Sequence, residues 1–258
     1  MRIELEIALQ FALGMLETFS RRDCGLILAG FRQTASDRQL ERLLDRWRQQ
    51  QLIDRTGRGR TARFRITDKG RQRAQALDPV AEWDRRWDGN WRVFSFDLPE
   101  SRRKDRLRLW RHLRTARFGF LQRSVWVWPH DVESALREMV EARGVPECFC
   151  GFEVSRLFLC DAAEIVVSAW DWRKIQHDHA AYLQQGRGDV RMLRAAGRLE
   201  ELSRIARVEQ ESYRAAFQSD PLLPRPLWPE AYQGPIVQER HREFHACLRE
   251  RIRRVAGK

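Results

Sequence analysis

Lysine is nearly missing from this 258-residue chain. Four of its 48 basic residues, Lys69, Lys104, Lys174 and Lys258, are lysine, and the other 44 are arginine. The cationic chemistry on offer is therefore a planar fork of donors, suited to bidentate recognition of phosphate and guanine edges, rather than a point ammonium charge. Acid is also short. The 36 Asp and Glu leave a formal charge of +12 and a pI near 10.4, which excludes an acidic disordered protein. A basic disordered tail is excluded as well, because the chain is 43% hydrophobic with ten Trp and thirteen Phe. A folded basic protein with room for a sizeable core remains, and its expected partners are polyanions.

Long hydrophobic runs are absent too. The strongest near the start, Ile7 to Leu16, spans about ten residues and follows Glu4 and Glu6, too short for a membrane span and without the basic flank of a secretory signal. No membrane partner is expected. Cysteine comes as five scattered residues, Cys24, Cys148, Cys150, Cys160 and Cys247, an odd number that argues against a disulfide framework and for a reducing cytoplasm. Neither Cys148-x-Cys150 nor His177-x-His179 has the spacing of a zinc knuckle or a matching second pair, so they read as core cysteines and surface histidines. The chain has no phosphate-binding G-x-x-x-x-G-K-[ST] loop and no G-x-S-x-G elbow. No cofactor, metal or enzymatic activity is expected.

The charge divides unevenly, with +6 in residues 1–80, +1 in 81–170 and +5 in 171–258. Tryptophan runs the other way, eight of ten falling between Trp83 and Trp172. The reading is α+β in three modules, 1–78, 82–169 and 170–258, with seams at Asp78-Pro79 and near Trp170.

In the first module Leu5, Leu9, Leu13 and Leu16 predict an amphipathic helix over residues 3–19. A short helix follows, with Asp23 as N-cap and Gly30 as its stop. Ser36-Asp37-Arg38-Gln39 matches a capping box, so a third helix is expected from Asp37 to about Gln50. It places Leu40, Leu43, Leu44 and Trp47 on one face and Arg38, Gln39, Arg42, Arg46 and Gln49 on others. Arg and Gln are the side chains that suit guanine and adenine edges. A hairpin is expected next, out from Leu52-Ile53, turning at Thr56-Gly57-Arg58-Gly59-Arg60 and returning through Phe64 to Thr67. Five arginines and no acid lie from Arg55 to Arg65, whereas a merely solvated hairpin would carry compensating acids. Three helices and a basic hairpin make a winged helix-turn-helix, whose helix enters the major groove while the wing meets phosphate or the minor groove. The candidate contacts to double-stranded DNA are Ser36, Arg38, Gln39, Arg42 and Arg46 on the helix and Arg58, Arg60 and Arg63 on the wing.

The middle module reads strand (Trp91–Phe96), helix (Glu100–Arg117), two strands (Phe118–Trp128), helix (Asp131–Arg143) and strand (Phe152–Cys160), the ferredoxin-like order. Its runs WDGNWRVFSFDLPESRRKDR and FGFLQRSVWVWP resemble the central domain of PaaX-family transcriptional repressors. That domain is itself similar to the Cas-two endonucleases of CRISPR adaptation. RTGRGRTARFRITDKG fits the same family. So does DPLLPRPLWPEAYQG, with the departure that Ala231-Tyr232-Gln233-Gly234 stands where Trp-Pro-Gly is expected.

The resemblance implies a repressor that dimerises through its ferredoxin-like domain, binds a palindromic operator and is released by an inducer such as phenylacetyl-CoA or another aryl-acyl-CoA thioester. The C-terminal module, helical over 172–185, 193–217 and 236–252, is where, together with the middle module, it implies effector binding, at residues the sequence does not single out. In the Cas-two nucleases an aspartate ending the first strand binds a divalent metal, and Asp97 holds that position. A metal-dependent nuclease with a fused DNA-binding module is thus the alternative reading, with a purely architectural DNA-binding protein a third. One aspartate without a second ligand in its motif favours the repressor.

Overall fold

The computed structural model describes residues 18–30, 36–57, 59–70, 79–142 and 149–256. It is an α+β structure with two antiparallel sheets, and its compact units are built from non-contiguous segments. Unit 1 comprises Met1–Asp78, Ala180–Ala215 and Pro235–Lys258; unit 2 comprises Pro79–His179 and Ala216–Gly234. The seam at Asp78-Pro79 coincides with a unit boundary. Residues 170–258, read from composition as one further domain, are instead shared between the two units.

Unit 1 opens with β1 (Thr18–Ser20) and α1 (Arg21–Gly30). The long helix expected over 3–19 lies outside the described residues up to 17, and its last residues belong to β1. The cap of α1 also differs from expectation. Ser20 precedes the helix, its backbone N–H donates to Asp23 Oδ2 at 2.7 Å, and Asp23 N–H returns a bond to Ser20 Oγ at 3.2 Å. Asp23 is thus the third helical residue of a reciprocal cap, and the helix starts two residues earlier.

Helix α2 (Asp37–Gln49) follows, then β2 (Ile53–Thr56), a 3-10 turn at Gly59–Thr61 and β3 (Arg63–Ile66). The sheet order is β1-β3-β2, with Ile53 opposite Ile66 and Phe19 opposite Phe64. Gly57 and Gly59 at the hairpin tip have φ of 83° and 65°, the left-handed region where a side chain costs about 1–2 kcal/mol.

Leu40, Leu43, Leu44 and Trp47 of α2 and Phe19, Ile53, Phe64 and Ile66 of the sheet are buried in one core. That core also holds Leu193, Leu199, Leu202, Ile205, Phe244, Leu248 and Ile252. The latter come from the unit 1 parts of α6 (Trp172–Ala195), α7 (Leu199–Ala216) and α8 (Gly234–Ala256).

Gly70 closes the segment against the start of the hairpin. A Cβ there would lie 2.3 Å from the Leu52 carbonyl oxygen, which already accepts the Thr67 N–H at 3.1 Å. The obstacle is backbone in a paired position. Gly70→Ala is expected to destabilise unit 1 by about 1–3 kcal/mol. A urea midpoint equal to that of the parent would show that the turn yields freely.

Unit 2 holds the four-stranded sheet β5-β6-β4-β7, from β4 (Trp91–Phe96), β5 (Gly119–Gln122), β6 (Val125–Trp128) and β7 (Phe149–Val154), all neighbours antiparallel. α3 (Arg103–Thr115) joins the first two strands, α4 (Glu133–Glu141) precedes the last and α5 (Ala162–Ala169) follows it. In chain order the strands lie 2-3-1-4, the ferredoxin-like arrangement.

The WDGNW run builds the turn into β4. Asp88 accepts bonds from Asn90 N–H and Arg92 Nη1, and the Arg92 hydrogen bond leads the interactions that hold its carboxyl at about 2. Asn90 Nδ2 then donates to Glu153 on β7 at 2.7 Å.

The last strand sits three residues earlier than the expected Phe152–Cys160. Its pairing with β4 sets the register, Phe96 opposite Phe149 with rings stacked at 5.2 Å, and leaves Phe158 and Leu159 exposed beyond it.

Candidate nucleic-acid interface

The N-terminus of α2 is fixed by the expected capping box. Ser36 N–H donates to Gln39 Oε1 at 2.8 Å, and Gln39 N–H donates to Ser36 Oγ at 3.4 Å. Arg38, Arg42 and Arg46 then recur every four residues, so they line the side of the helix opposite Leu40, Leu43, Leu44 and Trp47. All three are exposed. Two acids on this helix are occupied elsewhere, Glu41 by Arg21 at 2.7 Å and Asp45 by Arg48 at 3.2 Å. Among the described residues no ion pair engages the arginine row.

The capping box bears on Gln39. Reading adenine bidentately requires its Oε1 as acceptor, and that oxygen already accepts from Ser36. Gln39 and Ser36 hold the helix end while the arginines remain available.

The hairpin carries Arg63 outward, exposed on β3 opposite Thr56. Arg58 lies outside the described residues, and Arg60 is described only as backbone in the 3-10 turn. Acid is absent along Arg55–Arg65, yet Asp54 lies across the ladder from Arg65 and meets it at 3.5 Å. One wing charge is thereby offset by a side chain from the other strand.

Asp97 is exposed just past the end of β4. Among the described residues it joins no group of three His, Cys, Asp or Glu side chains able to surround an ion.

The DPLLPRPLWPEAYQG run folds into unit 2 as a buried polar network. Tyr232 donates to Asp220 Oδ2 at 2.8 Å and accepts from Trp83 Nε1 at 3.0 Å, while His179 Nε2 lies 3.1 Å from the same Asp220 oxygen. Burial, followed by Asp220, pushes the Tyr232 phenol far up. Tyr232 thus serves as an anchor within the run where it departs from the expected Trp-Pro-Gly. His179 and Asp220 are fully buried, so of the His177-x-His179 pair only His177 is a surface residue. Cys150 is exposed rather than in the core, and Cys148 lies outside the described residues.

One cluster escaped the sequence reading. Glu209 on α7 is wholly buried and lies beside His241 and His245 on α8. Burial pushes its carboxyl up, but the hydrogen bonds and charges of His241 and His245 outweigh this and hold it at about 2. Burial likewise lowers His245, and burial followed by the Glu209 charge raises Asp189. The available signals were a glutamate on the apolar stripe Leu199, Leu202, Ile205, Ala206, and two histidines four residues apart, a spacing that shares a helix face.

Residues 84–166 match the PaaX protein central Cas2-like domain. The match takes in about a third of the chain and covers the four strands of the unit 2 sheet together with α3 and α4. A solved structure, the uncharacterized protein Rv0674 from Mycobacterium tuberculosis, superposes with a TM-score of 0.55 at 19% identity over 97% of each chain. The shared fold therefore extends well beyond residues 84–166. No curated protein matches the chain. Among the described residues no helix is long and apolar enough to cross a membrane.

Proposed function

We propose that this protein is a cytoplasmic, sequence-specific transcriptional repressor of the PaaX type and not an enzyme. In this reading residues 1–78 are a winged helix-turn-helix, α2 is the recognition helix and β2–β3 the wing. The observation that carries it is the row Arg38, Arg42, Arg46, exposed and unengaged by acid among the described residues, on a capped helix whose opposite face is locked into a core. A helix held in this way presents its forks at fixed geometry, which base recognition requires. The PaaX domain, whose family is one of regulators, points the same way.

The ferredoxin-like domain pairs two copies so that two α2 helices meet a palindromic operator one helical turn apart. An inducer releases the DNA by binding more tightly to the form in which that spacing is lost. The resemblance to PaaX repressors makes an aryl-acyl-CoA its expected class. Its phosphates suit an arginine-rich protein, and the C-terminal helical segment is its expected receiver.

Selection of bound fragments from genomic DNA tests this reading. A single enriched palindrome is expected. Magnesium-dependent cleavage would instead favour the nuclease, and absence of enrichment the architectural protein. Replacing both Arg58 and Arg60 by alanine is expected to weaken binding to all sequences alike and to reduce the slope of log affinity against log salt by about 2. An unchanged slope would remove the wing from the interface.

A further inference from the structure

We propose that unit 1 contains a binding site for one divalent transition-metal ion of the Zn2+ class, formed by Glu209 of α7 and His241 and His245 of α8. The inference rests on the geometry of that cluster and is independent of DNA binding.

His241 and His245 are one turn apart on a single helix face, and the nitrogens turned toward Glu209 are His241 Nδ1, 2.8 Å from Oε1, and His245 Nε2, 3.6 Å from Oε2. The three candidate ligand atoms lie within 4.8 Å of one another. Tetrahedral metal–ligand bonds of about 2.0–2.2 Å place two ligands on one ion about 3.3–3.6 Å apart. The widest pair therefore needs to close by at most about 1.5 Å, within the reach of side-chain rotation. Two imidazoles and a carboxylate form a donor set for a borderline ion, whereas Ca2+ and Mg2+ take oxygen alone.

A second observation separates this cluster from an ordinary His–Glu pair. Glu209 is fully buried, yet its Oε2 has no partner within hydrogen-bond distance among the described residues, its ion-pair partner His245 Nε2 standing 3.6 Å away. A buried carboxylate oxygen left in this state is costly, and a cation placed between it and the imidazoles would satisfy it.

The surroundings also hold the ligands in place. Tyr182 donates to Glu209 Oε1 at 2.5 Å, and Tyr213 stacks on His241 with ring centroids 3.7 Å apart, its own hydroxyl donating to Gln238. Outer groups that orient metal ligands in this manner are a recurring part of built sites. With three protein donors, the ion would have room for a further ligand such as water, and it would tie α7 to α8. The tie would lie next to the core of unit 1, since Ala206 is three residues before Glu209 and Phe244 and Leu248 flank His245.

Tag-free full-length protein, stripped with a chelator and titrated with Co2+, tests the proposal. Visible d–d absorption saturating at one ion per chain is expected, displaced by Zn2+, with Zn2+ also raising the melting temperature progressively with concentration. Glu209→Gln and His241→Gln are expected to abolish the saturable band. Tyr182→Phe removes only the outer hydrogen bond and is expected to weaken Co2+ binding by roughly 10–100-fold. It keeps the test decisive if the ligand variants fail to fold. Absence of saturable binding by the parent would overturn the proposal. So would equal binding by parent and Tyr182→Phe, or an intense near-ultraviolet thiolate charge-transfer band, which would place the ion on cysteine.

Discussion

Leu44→Ala is expected to cost about 2–5 kcal/mol of unfolding free energy. Leu44 is 2% exposed on the inner face of α2, among Leu43, Trp47, Phe64 and the C-terminal side chains Leu202, Ile205, Phe244 and Leu248. Truncation would leave a cavity with walls from several elements, which limits how far they can collapse to refill it. For a unit of this size each kcal/mol shifts the melting temperature by about 2–4 °C. Leu202→Ala, made in a fully buried side chain far along the chain, is expected to cost a comparable amount. The two losses should fail to add by about 0.5–3 kcal/mol if the cavities share walls. Arg46→Ala, on the exposed face of the same helix, should stay within about 0.5 kcal/mol of the parent. Urea titrations of the four proteins check this. Strict additivity of Leu44→Ala and Leu202→Ala would mean that the two positions respond as separate packing units.

The joining of α2 to helices more than 150 residues later is the kind of feature that one sequence does not disclose. Local chemistry was legible: the Ser36-x-x-Gln39 box starts α2 where expected, Gly57 and Gly59 turn the hairpin, and alternating burial across Arg63-Phe64-Arg65-Ile66 follows the period of two. The order of the ferredoxin-like strands was legible for the same reason, each element being signalled within its own residues. What failed depended on partners. The stripe Leu199, Leu202, Ile205, Ala206 marks a buried helix face without saying what buries it. β7 was misplaced because Leu157-Phe158-Leu159 is the more apolar run, while the pairing with β4 that selects Phe149–Val154 lies more than fifty residues away. Asp23 reads as a cap as readily as Ser20 until the helix start is known. At the candidate site, periodicity exposed the arginine row. The engagement of Gln39 Oε1 and the pairing of Asp54 with Arg65 required coordinates, because both depend on rotamers and register.

Those two corrections sharpen the DNA-binding proposal into a prediction about specificity. Arg38→Ala and Arg42→Ala are each expected to weaken binding to the selected operator by about 1–3 kcal/mol, roughly 5- to 150-fold, with a much smaller effect on unrelated duplex. Each arginine stands on a helix fixed at its N-terminus by a reciprocal cap and along its length by four buried side chains, so its fork arrives at a base edge with little left to order. Gln39→Ala should behave differently. Its oxygen serves the cap, so its removal should lower helix stability by a fraction of the roughly 0.5–2 kcal/mol that an N-cap contributes, while base preference is kept. Lys substitutions sharpen the comparison: Arg38→Lys keeps the charge and the salt slope but loses the bidentate fork, so discrimination at one base pair should relax while nonspecific affinity holds. Competition binding against operators mutated one base pair at a time measures all four variants. If Arg38→Lys retained full discrimination, α2 would be acting through phosphate contacts alone, and base readout would have to come from another element.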